Sequence, residues 1–311
     1  MTIVIILFLS AVILFFFAGL YTAYHKVFYS PTKDMSETES PPSISNHPFS
    51  DAARQKTEEL SRIPCEYVRT RSYDGLKLSA RYYQGKSSKP LCICFHGYRG
   101  SAIRDFSGIG LFLIREGYSV LLVDQRAHWR SQGHTITFGI KERYDALSWI
   151  RYADRRFGKE TSIYLFGISL GGGTVLMASG QELPKNVKGI VADCPFNSPK
   201  DIIRHVCRKI NLNPDLCWPI VWLSGLIYGR FNISATTAAQ EAKNTKVPIL
   251  IIHGEGDDFV PPEMSNEVAV SNPSMIERRT FPEAGHGLCY YYYPDRYEDV
   301  IRQFITNTSA L

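Results

Sequence analysis

A serine between two glycines is the first candidate for chemistry in this chain. The segment GISLG at positions 167–171 has the spacing Gly-x-Ser-x-Gly and follows the apolar run SIYLF. Glycines two residues before and after a serine allow a sharp strand-to-helix turn that exposes its Oγ. About 0.1 such motifs are expected by chance in a chain of this length, so the position after a strand-like run gives the motif its weight. The pattern predicts that Ser169 is a nucleophile.

The two partners that a nucleophilic serine needs follow later in the chain. Asp257 comes soon after the apolar run VPILII, and His286 lies between two glycines after the weaker run IERRTF. A histidine takes the serine proton, and a carboxylate orients the histidine and stabilises its charged form. Either residue alone is compatible with an ordinary loop. The chain order Ser169, Asp257, His286, each beyond a strand-like run, predicts a catalytic triad.

Backbone amides are expected to complete this site. The segment HGYRG at 96–100 follows the apolar run LCICF, and its small residues let the loop backbone approach the serine. The amide of Tyr98 and that of Leu170, the residue after the serine, are predicted to bind the oxyanion of a tetrahedral intermediate.

Short apolar runs alternate with helical patterns from residue 65 onward. Alternating segments at 65–71 and 76–83 flank Asp74-Gly75, which predicts a β-hairpin. Continuous apolar runs then lie at 91–95, 119–124, 162–167, 189–194 and 247–254, with a weaker one at 276–281. This alternation indicates an α/β fold with a mostly parallel sheet and helices on both faces. Ligands of such sheets bind at the carboxyl ends of the strands, where the predicted triad lies.

Taken together, these segments resemble the α/β-hydrolase superfamily, and within it the bacterial membrane-anchored hydrolases of the serine aminopeptidase-like (S33-type) group. The resemblance covers about residues 65–307 and rests on HGYRG (96–100), DQRAHWRSQG (124–133), GISLG (167–171), HGEGDDFVP (253–261) and EAGHG (283–287). It implies the α/β-hydrolase fold and a serine hydrolase without metal or organic cofactor. The acid of the family matches Asp257 and not Asp258. Related sequences have glycine where Trp129 stands, so an altered pocket shape is expected.

A long segment, residues 197–245, separates two of the predicted strands. In the superfamily that this chain resembles, caps over the active site insert at this point, so we expect a helical lid before the acid-bearing strand. Large aromatic residues in and around it are predicted to line the substrate pocket: Trp129, Trp218, Trp222 and Tyr290. Such residues are equally compatible with packing the lid onto the domain.

The N-terminal segment predicts a membrane anchor at residues 1–24. Residues 3–23 are almost wholly apolar, which is about the length that a bilayer-spanning helix requires. A cleaved signal peptide is the alternative, but the basic start and the small-x-small site are missing. Lys26 and Lys33 on the C-terminal side slightly favour a cytoplasmic domain. A Ser- and Pro-rich linker is predicted at 25–50, and the hydrolase domain at 51–311.

Charge and cysteine content restrict the partners. The net charge is +5, and the Lys and Arg residues form no run that would follow a nucleic-acid backbone, so we expect no nucleic-acid partner. Seven cysteines, an odd number, predict mostly buried free thiols. A disulfide between Cys207 and Cys217 is the alternative for a domain that lies outside the cytosol.

The sequence as a whole predicts a serine hydrolase that cleaves an ester of a small-molecule acyl substrate through an acyl-enzyme. A peptidase or amidase, and an acyltransferase, have the same triad and stay open as alternatives. A non-catalytic, membrane-tethered binding module is the alternative of another class, because the same fold carries many functions.

Overall fold

The computed structural model describes residues 1–31 and 48–309. Its strands form a single eight-stranded sheet. In chain order the strands are β1 (Glu66–Arg71), β2 (Lys77–Tyr83), β3 (Leu91–Phe95), β4 (Ser119–Asp124), β5 (Ile163–Ile168), β6 (Val187–Asp193), β7 (Ile249–Gly254) and β8 (Ile276–Phe281). Their order across the sheet is β1-β2-β4-β3-β5-β6-β7-β8.

The pairing of the strands confirms the predicted, mostly parallel sheet. β2 is antiparallel to both β1 and β4, and every other neighbouring pair is parallel. The hairpin turns at Gly75, whose φ of +90° is readily adopted only by glycine. Because β3, β5, β6 and β7 are buried along their length, they appear in the sequence as continuous apolar runs.

Helices cover both faces of this sheet. In chain order they are α1 (Thr2–Val27), α2 (Ser50–Arg62), α3 (Ala102–Asp105), α4 (Ser107–Arg115), α5 (Glu142–Phe157), α6 (Leu170–Ser179), α7 (Pro199–Lys209), α8 (Pro214–Ile227), α9 (Ala238–Lys243), α10 (Pro262–Ser271), α11 (Cys289–Tyr292) and α12 (Pro294–Ser309). One apolar cluster joins the sheet to α5, α6 and α10 through Trp149, Leu176 and Val268. A second joins it to α2, α4 and α12, with Leu60 and Ile301 among its members.

The predicted lid segment contains three helices, α7, α8 and α9, between β6 and β7. Each begins at a side-chain cap: the hydroxyls of Ser198 and Thr237 and the amide oxygen of Asn213 accept hydrogen bonds from backbone N–H groups of the first turn. Cys207 and Cys217, on α7 and α8, are free thiols.

The N-terminal helix α1 is longer than the predicted anchor and docks on the domain. Its side chains from Thr2 to Gly19 are exposed, whereas Leu20 is buried, and Phe28 just after the helix is fully buried in the core. Ser30 and Ile136 continue this attachment through backbone hydrogen bonds to His134 and Phe28. Residues 25–31 are therefore part of the folded unit, which corrects the linker predicted from residue 25. Residues 32–47 of that linker lie outside the described residues.

Candidate active site

Ser169 lies on the turn between β5 and α6. Its backbone has φ +54° and ψ −111°, a region that non-glycine residues rarely adopt. The flanking glycines make this turn feasible, because a Cβ at Gly167 would lie 2.1 Å from the oxygen of Gly171 and one at Gly171 would lie 1.8 Å from the oxygen of Phe95. The amide of Ser169 donates to the carbonyl of Asp193 at 2.8 Å, which fixes the turn against β6.

The three predicted triad residues meet through hydrogen bonds. Nε2 of His286 lies 2.9 Å from Oγ of Ser169, and Nδ1 of His286 lies 2.7 Å from Oδ2 of Asp257. These residues come from the loops after β5, β7 and β8, whose carboxyl ends share one edge of the sheet. The geometry matches a hydrogen-bonded series of nucleophile, general base and orienting acid.

Asp257 is held as a carboxylate. Its Oδ1 accepts from the amides of Phe259 (3.0 Å) and Val260 (2.9 Å), and its side chain is fully buried. Burial alone would raise the pKa of Asp257, but the hydrogen bonds from His253, His286 and the Val260 amide outweigh it and lower the pKa well below its usual range. The carboxylate is therefore charged at neutral pH and can stabilise an imidazolium on His286.

Two further residues beside the triad were missed by the sequence analysis. Nε2 of His253 lies 3.2 Å from Oδ2 of Asp257 and 2.9 Å from the carbonyl of Val260, so this buried histidine is a second neighbour of the acid. Sγ of Cys194 lies 4.0 Å from Nε2 of His286, and burial raises the pKa of this thiol well above its ordinary value. Both lie at or just beyond the carboxyl end of a buried strand, and this position in the sequence could have identified them as candidate site residues.

A metal would have to compete with the hydrogen bonds of this site. Cys194, Asp257 and His286 bring ligand atoms within 4.8 Å of one another. However, both ring nitrogens of His286 face Ser169 and Asp257, and the Cys194 thiol is held neutral by burial. Zinc prefers thiolate sulfur and a free imidazole nitrogen, so this arrangement suits proton transfer better than ligation.

The loop after β3 brings the predicted oxyanion donors to the serine. The Gly97 amide donates to Oδ2 of Asp105 at 2.8 Å, which holds the loop, and Tyr98 and Leu170 lie beside Ser169 in the cavity wall. Within the described residues, neither of their amides donates a hydrogen bond to another group of the protein. Such amides are available to a ligand, as an oxyanion site requires.

Two cavities meet at Ser169. The first, which we call the polar cleft because it holds charged groups, has a volume of about 550 Å³. It is lined by Arg104, Asp105, Lys209, Asp258, Glu283 and His286 together with apolar residues such as Ile168 and Leu288. The second, the apolar cavity, has a volume of about 640 Å³ and is lined by residues such as Phe138, Phe196, Ile203, Val206, Val221 and Val260. Both volumes lie in the range of small-molecule sites.

The four aromatic residues predicted to line the pocket line neither cavity. The indole of Trp129 donates to the carbonyl of Gly100, and that of Trp222 donates to Asn232 on the lid. Trp218 packs against the core beside Lys200, and Tyr290 is buried against Tyr297. These predictions are wrong because side-chain size does not say which way a side chain points. Tyr291 and Tyr292 line the polar cleft instead.

Comparisons with known proteins agree with this architecture. The profile of the alpha/beta hydrolase fold family matches residues 90–216. The chain is 23% identical to the Bacillus subtilis protein YqkD over 70% of its own length and 71% of that protein, and 22% identical to Schizosaccharomyces pombe protein bem46 over 83% and 82%. Among solved structures, an esterase of Pyrococcus furiosus superposes with a TM-score of 0.65 at 22% identity, covering 81% of this chain and 93% of that one.

This chain has the α/β-hydrolase fold. A further α/β-hydrolase-fold neighbour is Est1E of Butyrivibrio proteoclasticus, solved with ferulic acid bound, at a TM-score of 0.58 and 22% identity over 78% of this chain and all of that one. At such identities the superpositions support the fold alone. The assignment fits the strand order and the strand-to-helix turn at Ser169, and it leaves the reaction to be argued from the site itself.

Proposed function

We propose that this α/β-hydrolase-fold protein is a serine hydrolase that cleaves carboxylic esters and is anchored to a membrane by α1. The observation that carries the proposal is the hydrogen-bonded series Ser169–His286–Asp257 at the point where two cavities meet. A histidine within 3 Å of a serine hydroxyl, itself bonded to a buried carboxylate, is what activates an otherwise weak nucleophile.

In the proposed mechanism, Oγ of Ser169 bonds to the ester carbonyl carbon while its proton moves to Nε2 of His286. The amides of Tyr98 and Leu170 stabilise the oxyanion. The C–O bond to the alcohol then breaks, and His286 returns the proton to the leaving oxygen. Water, activated by the same histidine, attacks the acyl-enzyme and releases the acid and free Ser169. Asp257 holds the histidine tautomer throughout.

Two kinds of support favour an ester substrate. Several structural neighbours are described as esterases, and one holds ferulic acid, which is a carboxylic acid. In addition, Lys26 is the one charged group among the described residues that line the apolar cavity. The cavity therefore suits an acyl or aryl group better than a peptide backbone, whose amides would stay unpaired there. Membership of the serine aminopeptidase-like group is part of this proposal.

Retention of α1 as an anchor is part of the same proposal. Its last turns carry Leu20 and lead directly into the buried Phe28, so cleavage in this region would remove side chains from the folded core. A signal peptide that is discarded has no reason to pack in this way.

The proposal is tested with the purified full-length protein in detergent. We expect turnover of p-nitrophenyl esters that is lost in Ser169→Ala, and at most slow turnover of the matching p-nitroanilides. Faster turnover of the anilides would replace the ester assignment with a peptidase or amidase. Preferential transfer of the acyl group to an added alcohol would indicate an acyltransferase, and a well-folded protein inert towards all of these would favour a binding module.

A further inference from the structure

One wall of the apolar cavity is the membrane helix itself. Gly19, Thr22, Ala23, Lys26 and Val27, all from the last turns of α1, line it. The opposite wall comes from the lid helices α7 and α8: Ile203, Val206, Cys217, Ile220 and Val221. Ser169 lines the same cavity, so a role of α1 as a tether alone leaves this contact unexplained.

The position of α1 against the domain is fixed by specific bonds. The phenol of Tyr228, just after α8, donates to the carbonyl of Phe17 at 3.0 Å, and the phenol of Tyr98 donates to the carbonyl of Val27 at 2.9 Å. The guanidinium of Arg99 donates to the carbonyls of Lys26 (3.0 Å) and Tyr29 (2.7 Å). A cation at the carboxyl end of a helix is favourable, because the last carbonyls have no partner within the helix.

The length of α1 sets the depth of the domain relative to a bilayer. From Thr2 to Phe17, where the bond from Tyr228 begins the attachment, the helix is about 24 Å long at 1.5 Å per residue. The hydrocarbon core of a bilayer is about 30 Å thick and needs about 20 residues. The exposed part of α1 is thus close to the length of a spanning helix, and a spanning α1 brings the docked end of α8 to the lipid surface.

Several residues that line the apolar cavity are themselves exposed to solvent. Ile210, Leu212 and Ile220 line the cavity and are 59%, 50% and 44% exposed, and Leu216 on α8 is 68% exposed. Tyr21 and Tyr24 on α1 and Tyr228 just after α8 form a cluster where the two helices meet, with ring centroids of Tyr21 and Tyr228 5.4 Å apart. Exposed apolar patches mark binding surfaces, and tyrosines collect where a membrane meets water. Continuity with α1 identifies the partner of this surface as the lipid.

We infer that the apolar cavity takes the acyl chain of a long-chain ester dissolved in the membrane, which enters from the lipid between α1 and α8. This inference rests on the proposed ester hydrolysis. The carbonyl carbon lies at Ser169, the chain extends towards Ala23 and Ile220, and the polar alcohol part lies in the polar cleft beside Lys209. The helix α1 is thus a wall of the substrate site as well as an anchor.

The test uses the full-length protein in phosphatidylcholine vesicles and compares two alanines on α1. Ala23 lines the cavity, whereas Ala18 is exposed and does not, so Ala23→Trp fills the cavity and Ala18→Trp is the matched control. Gly19→Trp is a second blocking variant, because a Cβ there meets nothing within 4 Å and the backbone tolerates it. The substrates are p-nitrophenyl palmitate and p-nitrophenyl acetate.

The measured quantity is the ratio of palmitate turnover to acetate turnover. Since one methylene in an apolar pocket changes discrimination by about tenfold or more, the ratio should fall at least about tenfold in Ala23→Trp and Gly19→Trp and should stay near wild type in Ala18→Trp. Labelling of Ser169 by a fluorophosphonate confirms that each variant is assembled. An unchanged ratio in both blocking variants, or an equal fall in the control, would overturn the acyl route through α1. A wild type that hydrolyses neither ester would instead overturn the proposed function.

Discussion

The polar cleft and the apolar cavity share Ser169 but are built by different parts of the chain. The cleft is formed mainly by loops at the carboxyl edge of the sheet and contains charged groups, such as Lys209 and Asp258, which pair at 3.0 Å. The cavity is formed mainly by helices outside the sheet, namely α1, α7 and α8. An ester of a long-chain acid has an apolar and a polar half, and the two environments suit one half each.

This difference separates the chemistry from substrate selection. The sheet edge positions the triad, and changes there should affect every substrate alike. The lid and α1 shape the apolar side, so changes there should alter which substrates are turned over and how stable the fold is.

The largest expected effect concerns the acid at the sheet edge. Asp257→Asn should lower kcat about 10⁴-fold for all esters, because an amide in place of the carboxylate no longer holds the required tautomer of His286 or stabilises its charge. Asp258→Asn is the matched control: the Asp258 side chain is 87% exposed and forms an ion pair with Lys209, so the loss should stay within about tenfold. Steady-state kinetics on purified variants measure both. A larger loss in Asp258→Asn would reverse the assignment of the acid.

The next effect concerns the attachment of α1 to the domain. Phe28→Ala should lower the free energy of unfolding by about 3–5 kcal/mol, because Phe28 is fully buried beside Phe138 and Phe231 and its removal leaves a cavity. Phe15→Ala should change it little, since Phe15 is 83% exposed on the free part of α1. Denaturant unfolding in detergent micelles measures the pair. Equal stability of the two variants would mean that α1 is only tethered to the domain.

The smallest effect concerns the polar cleft. Lys209→Met should raise KM a few-fold for esters whose alcohol part carries a negative charge, and should leave the palmitate-to-acetate ratio unchanged, because an exposed ion contributes at most about 1 kcal/mol. Lys200→Met, on the exposed face of the same helix, is the control. A changed palmitate-to-acetate ratio in Lys209→Met would contradict the assignment of chain-length preference to the apolar cavity.

The meeting of the triad residues was easier to predict from the sequence than the lining of the pocket. Ser169 and Asp257 follow buried strands, and His286 follows the half-exposed edge strand β8. Parallel strands place residues at their carboxyl ends along one edge, so the meeting of these three was predictable from the sequence. The strands β3, β4 and β8 have the predicted bounds, and the others shift by up to two residues. These features depend on local pattern and on the rules of parallel sheets.

The pocket depends on the orientation of helices, which local pattern does not give. Trp218 and Trp222 are as apolar as Cys217 and Val221 on the same helix, yet only the latter two face the cavity. The docking of α1 was missed for a related reason. Side chains that face lipid and side chains that face an apolar cavity have the same composition, so Ala18 and Ala23 look alike in the sequence.

The most direct test of the central claim is labelling of the full-length protein with a fluorophosphonate, comparing wild type with Ser169→Ala. The reagent reacts with serines that an adjacent base activates, as His286 is positioned to do. We predict covalent labelling of the wild type and none of Ser169→Ala, with mass spectrometry placing the adduct on Ser169. A folded wild type that stays unlabelled, or equal labelling of both proteins, would contradict the assignment of Ser169 as the nucleophile.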